Sequence, residues 1–116
     1  MAAAHFKLDG LVALVDCNGI QADGPVVLDM EPVADKWRSF GWDTDEIDGN
    51  DMVAITAALA AARGRDGKPK AIVLRTRPGR GVKRIEDSEK SHFFRTELSQ
   101  WDAIIAEFEA NVGASS

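Results

Sequence analysis

"LVALVDCNGIQADGP" (residues 11–25) decides the fold. Residues 11–15 are a continuous apolar run rather than an alternating one, the pattern of a strand buried on both faces, as in parallel sheets. Asn18-Gly19 follows closely, and that dipeptide is the strongest short hairpin signal because both residues tolerate positive φ. A hairpin there needs an antiparallel strand after Ile20. The following "QADGP" carries a second turn signal and a proline, so no such strand is expected. The chain instead turns away at the carboxyl end of a parallel strand, which is where open α/β sheets bind ligands.

The rest of the chain agrees. "KAIVLRT" (residues 70–76) is a second strongly apolar strand, and "WDTDEID" (residues 42–48) is a short extended segment. "EPVADKWRSFG" (residues 31–41) reads as a helix with Pro32 in its first turn, Val33, Trp37 and Phe40 on one face, and Gly41 as its stop. Asn50 or Asp51 caps a helix over residues 52–63, with Met52, Ile55, Leu59 and Ala62 as its buried stripe. A loop rich in Gly and charge spans residues 77–95. Thr96 then caps a last helix that buries Trp101, Ile104, Ile105, Phe108 and Val112 and ends at Gly113.

Strands alternating with helices predict βαβ units on a parallel sheet. Three strands are few for such a sheet, and "MAAAHFKL" reads as the end of a helix whose beginning is missing. The expected architecture is α/β: the second half of a doubly wound parallel sheet, forming one partial domain over residues 1–116.

Composition bounds the partners. The 116 residues suit one small domain, and 14 Lys+Arg against 19 Asp+Glu leave a net charge of −5. That charge argues against nucleic acid or an anionic membrane as the main partner. The one cysteine, Cys17, excludes an internal disulfide framework and fits a reducing compartment. No apolar run is long enough for a signal peptide or a membrane span, so the expected location is cytoplasmic.

At the strand's end, Asn18 presents a neutral side-chain oxygen, and Gly19 lets the backbone bring the Ile20 carbonyl toward the same point. Two such oxygens suit a hard cation such as Mg²⁺, which often shares its shell with phosphates. On chemistry alone, a plain βα loop and a cation-holding loop both stay open. His92, in "EKSHFFR", offers hydrogen-bond donation to negative charge or proton transfer, or is a solvated loop residue. "RPGRGVKR" (residues 77–84) lacks the spacing of a phosphate-binding fingerprint. Cys17 is expected to be structural. His5 belongs to the opening helix, Trp37 and Trp101 are expected in the core, and the acids of "DTDEID" are expected on a solvated turn.

Taken in order, "HFKLDGLVALVDCNGIQADGP", "EPVADKWRSFGW", "DGND" and "GKPKAIVLRTRPGRGV" resemble the transketolase family, specifically the amino-terminal subunit of split transketolases. The resemblance runs to about His92. It implies the diphosphate-binding domain of a thiamine diphosphate enzyme. In that family the cofactor's Mg²⁺ is held by an aspartate of an upstream Gly-Asp-Gly, an Asn side chain and a backbone carbonyl two residues later. The last two fall on Asn18 and Ile20, with Gly19 allowing the turn, while His92 falls where a histidine touches the diphosphate or substrate oxygens. The chain departs from the family at Ala22, where relatives carry a larger apolar residue, and at Phe93, where they often carry Gly.

The resemblance implies transfer of a two-carbon ketol unit from a ketose to an aldose, using thiamine diphosphate and Mg²⁺. The expected partners are a piece carrying the Gly-Asp-Gly half of the domain, a pyrimidine-binding transketolase subunit and sugar or sugar-phosphate substrates, together a hetero-oligomer. The rival readings are a non-catalytic assembly subunit that keeps the fold, and a subunit of another thiamine diphosphate enzyme.

Overall fold

The computed structural model describes residues 1–21, 24–64, 66–86, 88 and 91–113. Ala22 and the side chain of Val112 lie outside what is described. The chain forms two compact units, Met1–Asn18 with Leu28–Thr76, and Gly19–Val27 with Arg77–Ser116.

The first unit holds a parallel sheet of three strands: β1 (Val12–Cys17), β4 (Asp43–Asp48) and β5 (Lys70–Arg75), in the order β1-β5-β4. The acid-rich extended segment is therefore a full edge strand. Lys70 aligns with Val12 on one side and Asp43 on the other. The central strand carries the core: Ala71, Ile72 and Val73 are at most 2% exposed.

Ile72 and Leu74 share a face of β5 with Ile47 of β4, and helix α3 (Met52–Ala61) packs Ala58 and the following Ala62 against them. Asp51 caps α3, its carboxylate accepting from the amides of Val53 and Ala54. The expected stripe holds at Ala62 and is corrected at Met52 and Leu59. Met52 is 70% exposed and Leu59 is exposed, while Ala58 and Ala62 are buried. The helix is apolar nearly all round, so periodicity does not select its inner face, and small alanines permit the closest approach to the sheet.

β1 departs from the expectation of burial on both faces. Its residues alternate between exposed and half-buried, and Leu14 is 55% exposed. Leu14 aligns with Ile72, so it lies on the α3 face of the sheet, but α3 covers β4 and β5 and leaves β1 at an uncovered edge.

A short helix α1 (Ala2–His5) opens the unit. Helix α2 (Val33–Ser39) begins after Pro32 as N-cap, contacts β4 and β5, and ends before Gly41, whose φ is +86°. Its most buried residue is Ala34. Trp37 is half-buried and meets Trp42 edge-on with centroids 4.7 Å apart, whereas Phe40 is exposed. Lys70 is largely buried and donates to Asp43 and Asp66, each at 2.6 Å. These partners hold its pKa above the ordinary lysine value.

The second unit holds an antiparallel ribbon, β2 (Ile20–Gln21) with β3 (Gly24–Pro25). This corrects the expectation that no antiparallel strand pairs after Ile20, while the expectation that Asn18-Gly19 makes no hairpin with β1 holds, since β1 pairs in parallel with β5. The ribbon pairs Gln21 with Gly24, so Asn18-Gly19 is not its turn. The unit continues with α4 (Lys83–Glu86), single 3₁₀ turns at Ser91–Phe93 and Leu98–Gln100, and α5 (Trp101–Gly113). Thr96 does not cap the last helix, because a 3₁₀ turn intervenes; its hydroxyl meets Gln100 Oε1 at 2.5 Å. On α5, Ile104 is 4% exposed, but Trp101, Ile105 and Phe108 are exposed, so Trp101 is not a core residue. Asn111 donates to the Gly81 carbonyl and Glu107 accepts from the Lys83 amide at 2.8 Å, tying α5 to the α4 region.

Candidate functional site

β1 ends one residue before Asn18, so Asn18 stands at the carboxyl end of the sheet. Its neighbourhood is built by strand register. Asp16 aligns with Leu74, so Asp16 shares a face with Leu74 and with Thr76, two residues on. The Thr76 hydroxyl donates to Asp16 Oδ1, and Asn18 Nδ2 donates to Asp16 Oδ2 at 3.0 Å. One carboxylate thus joins the ends of two adjacent strands to the candidate ligand. On the other side of β5, the Gly49 amide donates to the Arg75 carbonyl at 2.9 Å.

Gly19 and Ile20 begin the second unit. Gly19 has φ +73° with nothing within 4 Å of the Cβ it lacks, so glycine is required by conformation and not by space. The Val26 amide donates to the Gly19 carbonyl at 3.1 Å. That makes Gly19 and Val26 a hydrogen-bonded step of the antiparallel ladder, and Ile20 with Pro25 the following non-bonded step. Two consequences follow. Pro25 costs the ribbon nothing, since no N–H is wanted there, and the Ile20 carbonyl is directed away from β3.

His92 also lies in the second unit, exposed on the 3₁₀ turn Ser91–Phe93. The structure therefore describes Asn18 in one unit and Gly19, Ile20 and His92 in the other. Among the described residues no group of three or more His, Cys, Asp or Glu is arranged to hold a metal. Cys17 is a half-buried free thiol whose pKa burial pushes up, the opposite of an activated nucleophile. His5 is exposed and packs edge-on against Phe6.

Sequence reasoning missed the charged cluster at the same end of the sheet. Arg75 pairs with Glu31 through both terminal nitrogens, and its Nε donates to Glu46 at 3.0 Å. Arg75 together with the Val33 amide pulls the Glu31 carboxyl down to about 2. Register was the available signal, since β4 and β5 in parallel bring Glu46 close to Arg75.

The family profile described as "Transketolase, thiamine diphosphate binding domain" matches residues 1–105. The chain belongs to the transketolase family. It is 41% identical over 117 aligned positions to an uncharacterized transketolase family protein, y4mO, of Sinorhizobium fredii, covering 98% of this chain and 42% of that protein. It is 38% identical over 111 positions to the 6-deoxy-6-sulfo-D-fructose transketolase subunit SqwG of a Clostridium species, covering 94% of this chain and 40% of that one. The chain thus spans about two fifths of the length of these relatives. Its fold matches a transketolase variant of Pichia stipitis in complex with fructose 6-phosphate, with a TM-score of 0.62 at 25% identity, covering 97% of this chain and 20% of that one. No described helix is long and apolar enough to cross a membrane.

Proposed function

We propose that this chain is part of a thiamine diphosphate-dependent transketolase-like enzyme, active with partner chains, that transfers a two-carbon ketol unit from a ketose to an aldose. The observation that carries this reading is the match of the family's thiamine diphosphate-binding domain over residues 1–105. The donor set supports it as well: an amide oxygen and a main-chain carbonyl, both hard ligands, are the kind Mg²⁺ takes beside phosphates.

In this reading Asn18 Oδ1 and the Ile20 carbonyl hold Mg²⁺, and Gly19 supplies the positive φ that the turn between them needs. The remaining metal ligands, an aspartate among them, come from residues other than these 116. Thiamine diphosphate, when bound, supplies the nucleophilic carbon that the reaction requires. This chain's own work is to bind and orient. His92 donates a hydrogen bond to diphosphate or substrate oxygens, and the exposed apolar face of β1 meets the rest of the domain.

The test is ketol transfer by the assembled protein, comparing wild type with Asn18→Ala across a cofactor titration. The variant assembles, loses turnover at limiting thiamine diphosphate and Mg²⁺, and recovers in excess of both, because binding is what was damaged. Normal assembly with unchanged cofactor dependence would leave Asn18 an ordinary turn residue and favour a non-catalytic assembly subunit.

A further inference from the structure

Resting on the reading of Asn18 as a cation ligand, we propose that Asp16 is a positioning residue: it sets which end of the Asn18 amide faces the cation. The amide has two chemically opposite ends on one planar group, an acceptor oxygen and a donor NH₂. Only one rotamer is useful to a metal, since the other presents NH₂ hydrogens to a positive charge. Ionised, a carboxylate accepts and never donates, so Asp16 can bond the NH₂ end and cannot bond the oxygen. With Nδ2 donating to Asp16 Oδ2 at 3.0 Å, Oδ1 is held on the opposite side of the amide.

Asp16 is itself held. It lies on β1, its other oxygen accepts from Thr76, and Thr76 follows the buried central strand β5. The chain of restraint runs from the core strand through a hydroxyl and a carboxylate to the amide, all within the first unit. Asp16 does this without touching the metal. Groups that orient a ligand in this way are worth about 10- to 100-fold in metal affinity.

The experiment is Mg²⁺-dependent thiamine diphosphate binding to the assembled protein, read by tryptophan fluorescence with no sugar present. Asn18→Ala and Asp16→Ala each raise the Mg²⁺ concentration for half-saturation about tenfold. The double variant shifts it no further than Asn18→Ala alone, because both act through one ligand. Asp16→Asn recovers most of the loss, since its carbonyl still accepts from Nδ2 while its own NH₂ meets Thr76. Thr76→Val keeps the acceptor beside Asn18 and shifts the titration less than Asp16→Ala. Should Asp16→Ala fail to assemble, Asp16→Leu keeps the volume and answers the same question.

Wild-type behaviour of Asp16→Ala beside a shifted Asn18→Ala would overturn the positioning role alone. So would additive shifts in the double variant, or a Thr76→Val shift as large as that of Asp16→Ala, which would assign the effect to the strand contact. An unshifted Asn18→Ala would instead overturn the ligand reading itself.

Discussion

Gly49 has no room for a side chain because Thr76 and Leu74 occupy the place. A Cβ there would lie 2.8 Å from Leu74 Cβ and closer still to Thr76 Cγ2. Thr76 thus fills the place a Gly49 side chain would take, and its hydroxyl is bonded to Asp16. Gly49→Ala is expected to destabilise the fold by about 1–3 kcal/mol through overpacking. It should also displace Thr76 and weaken Mg²⁺-dependent cofactor binding. Urea unfolding and the metal titration of the assembled protein check the two effects separately.

Acid should loosen the first unit through Glu31 and Asp66. Arg75 and the Val33 amide hold Glu31 down to about 2, and Lys70 with the Lys68 amide lowers Asp66. Both groups bind fewer protons when folded, so their contribution is complete above the unfolded carboxylate range near pH 4.5 and is lost as pH falls through their lowered folded values, about 2 for Glu31. Stability should therefore rise with pH across that window. Acid unfolding followed by tryptophan fluorescence tests this, and Glu31→Gln should flatten the lower part of the curve.

β1 presents Leu14 and Val12 on an edge strand whose outer backbone groups have no neighbouring strand in this sheet. Such edges template association unless covered. The chain by itself should sediment as oligomers rather than as a single monomer, and Leu14→Lys should shift it toward monomer. A monodisperse, cooperatively melting wild-type monomer is the contrary result.

The chain alone should bind thiamine diphosphate and Mg²⁺ weakly, because the described residues bring no acidic metal set together. Calorimetry of the lone chain against the assembled protein measures this. Micromolar or tighter binding by the lone chain would contradict it.

Much of the fold was legible because parallel strands leave apolar runs and capped helices leave punctuation. "KAIVLRT" is the buried central strand, and Asp51 caps α3 as expected. Three things were not legible. The inner face of α3 was hidden by a helix apolar on every side, so Ala58 and not Met52 faces the sheet. The β2–β3 ribbon was hidden by Pro25, whose cost vanishes at a non-bonded ladder position that only register reveals. The candidate ligand Asn18 could be named from its place after a strand, but Asp16 and Thr76 could not be joined to it. They are 60 residues apart, and their contact exists only once β1 and β5 lie side by side.

The order β1-β5-β4 also has a consequence for synthesis. The strand at the centre is the last of the three to leave the ribosome, and β1 and β4 pair with it and not with each other. Neither edge can begin its ladder until residues 70–75 have emerged, so β1 waits through more than fifty residues of elongation with its apolar side chains exposed. Non-local pairing of this kind is slow and open to misassociation. The nascent segment is thus most open to misassociation at β1, the strand that leads into Asn18.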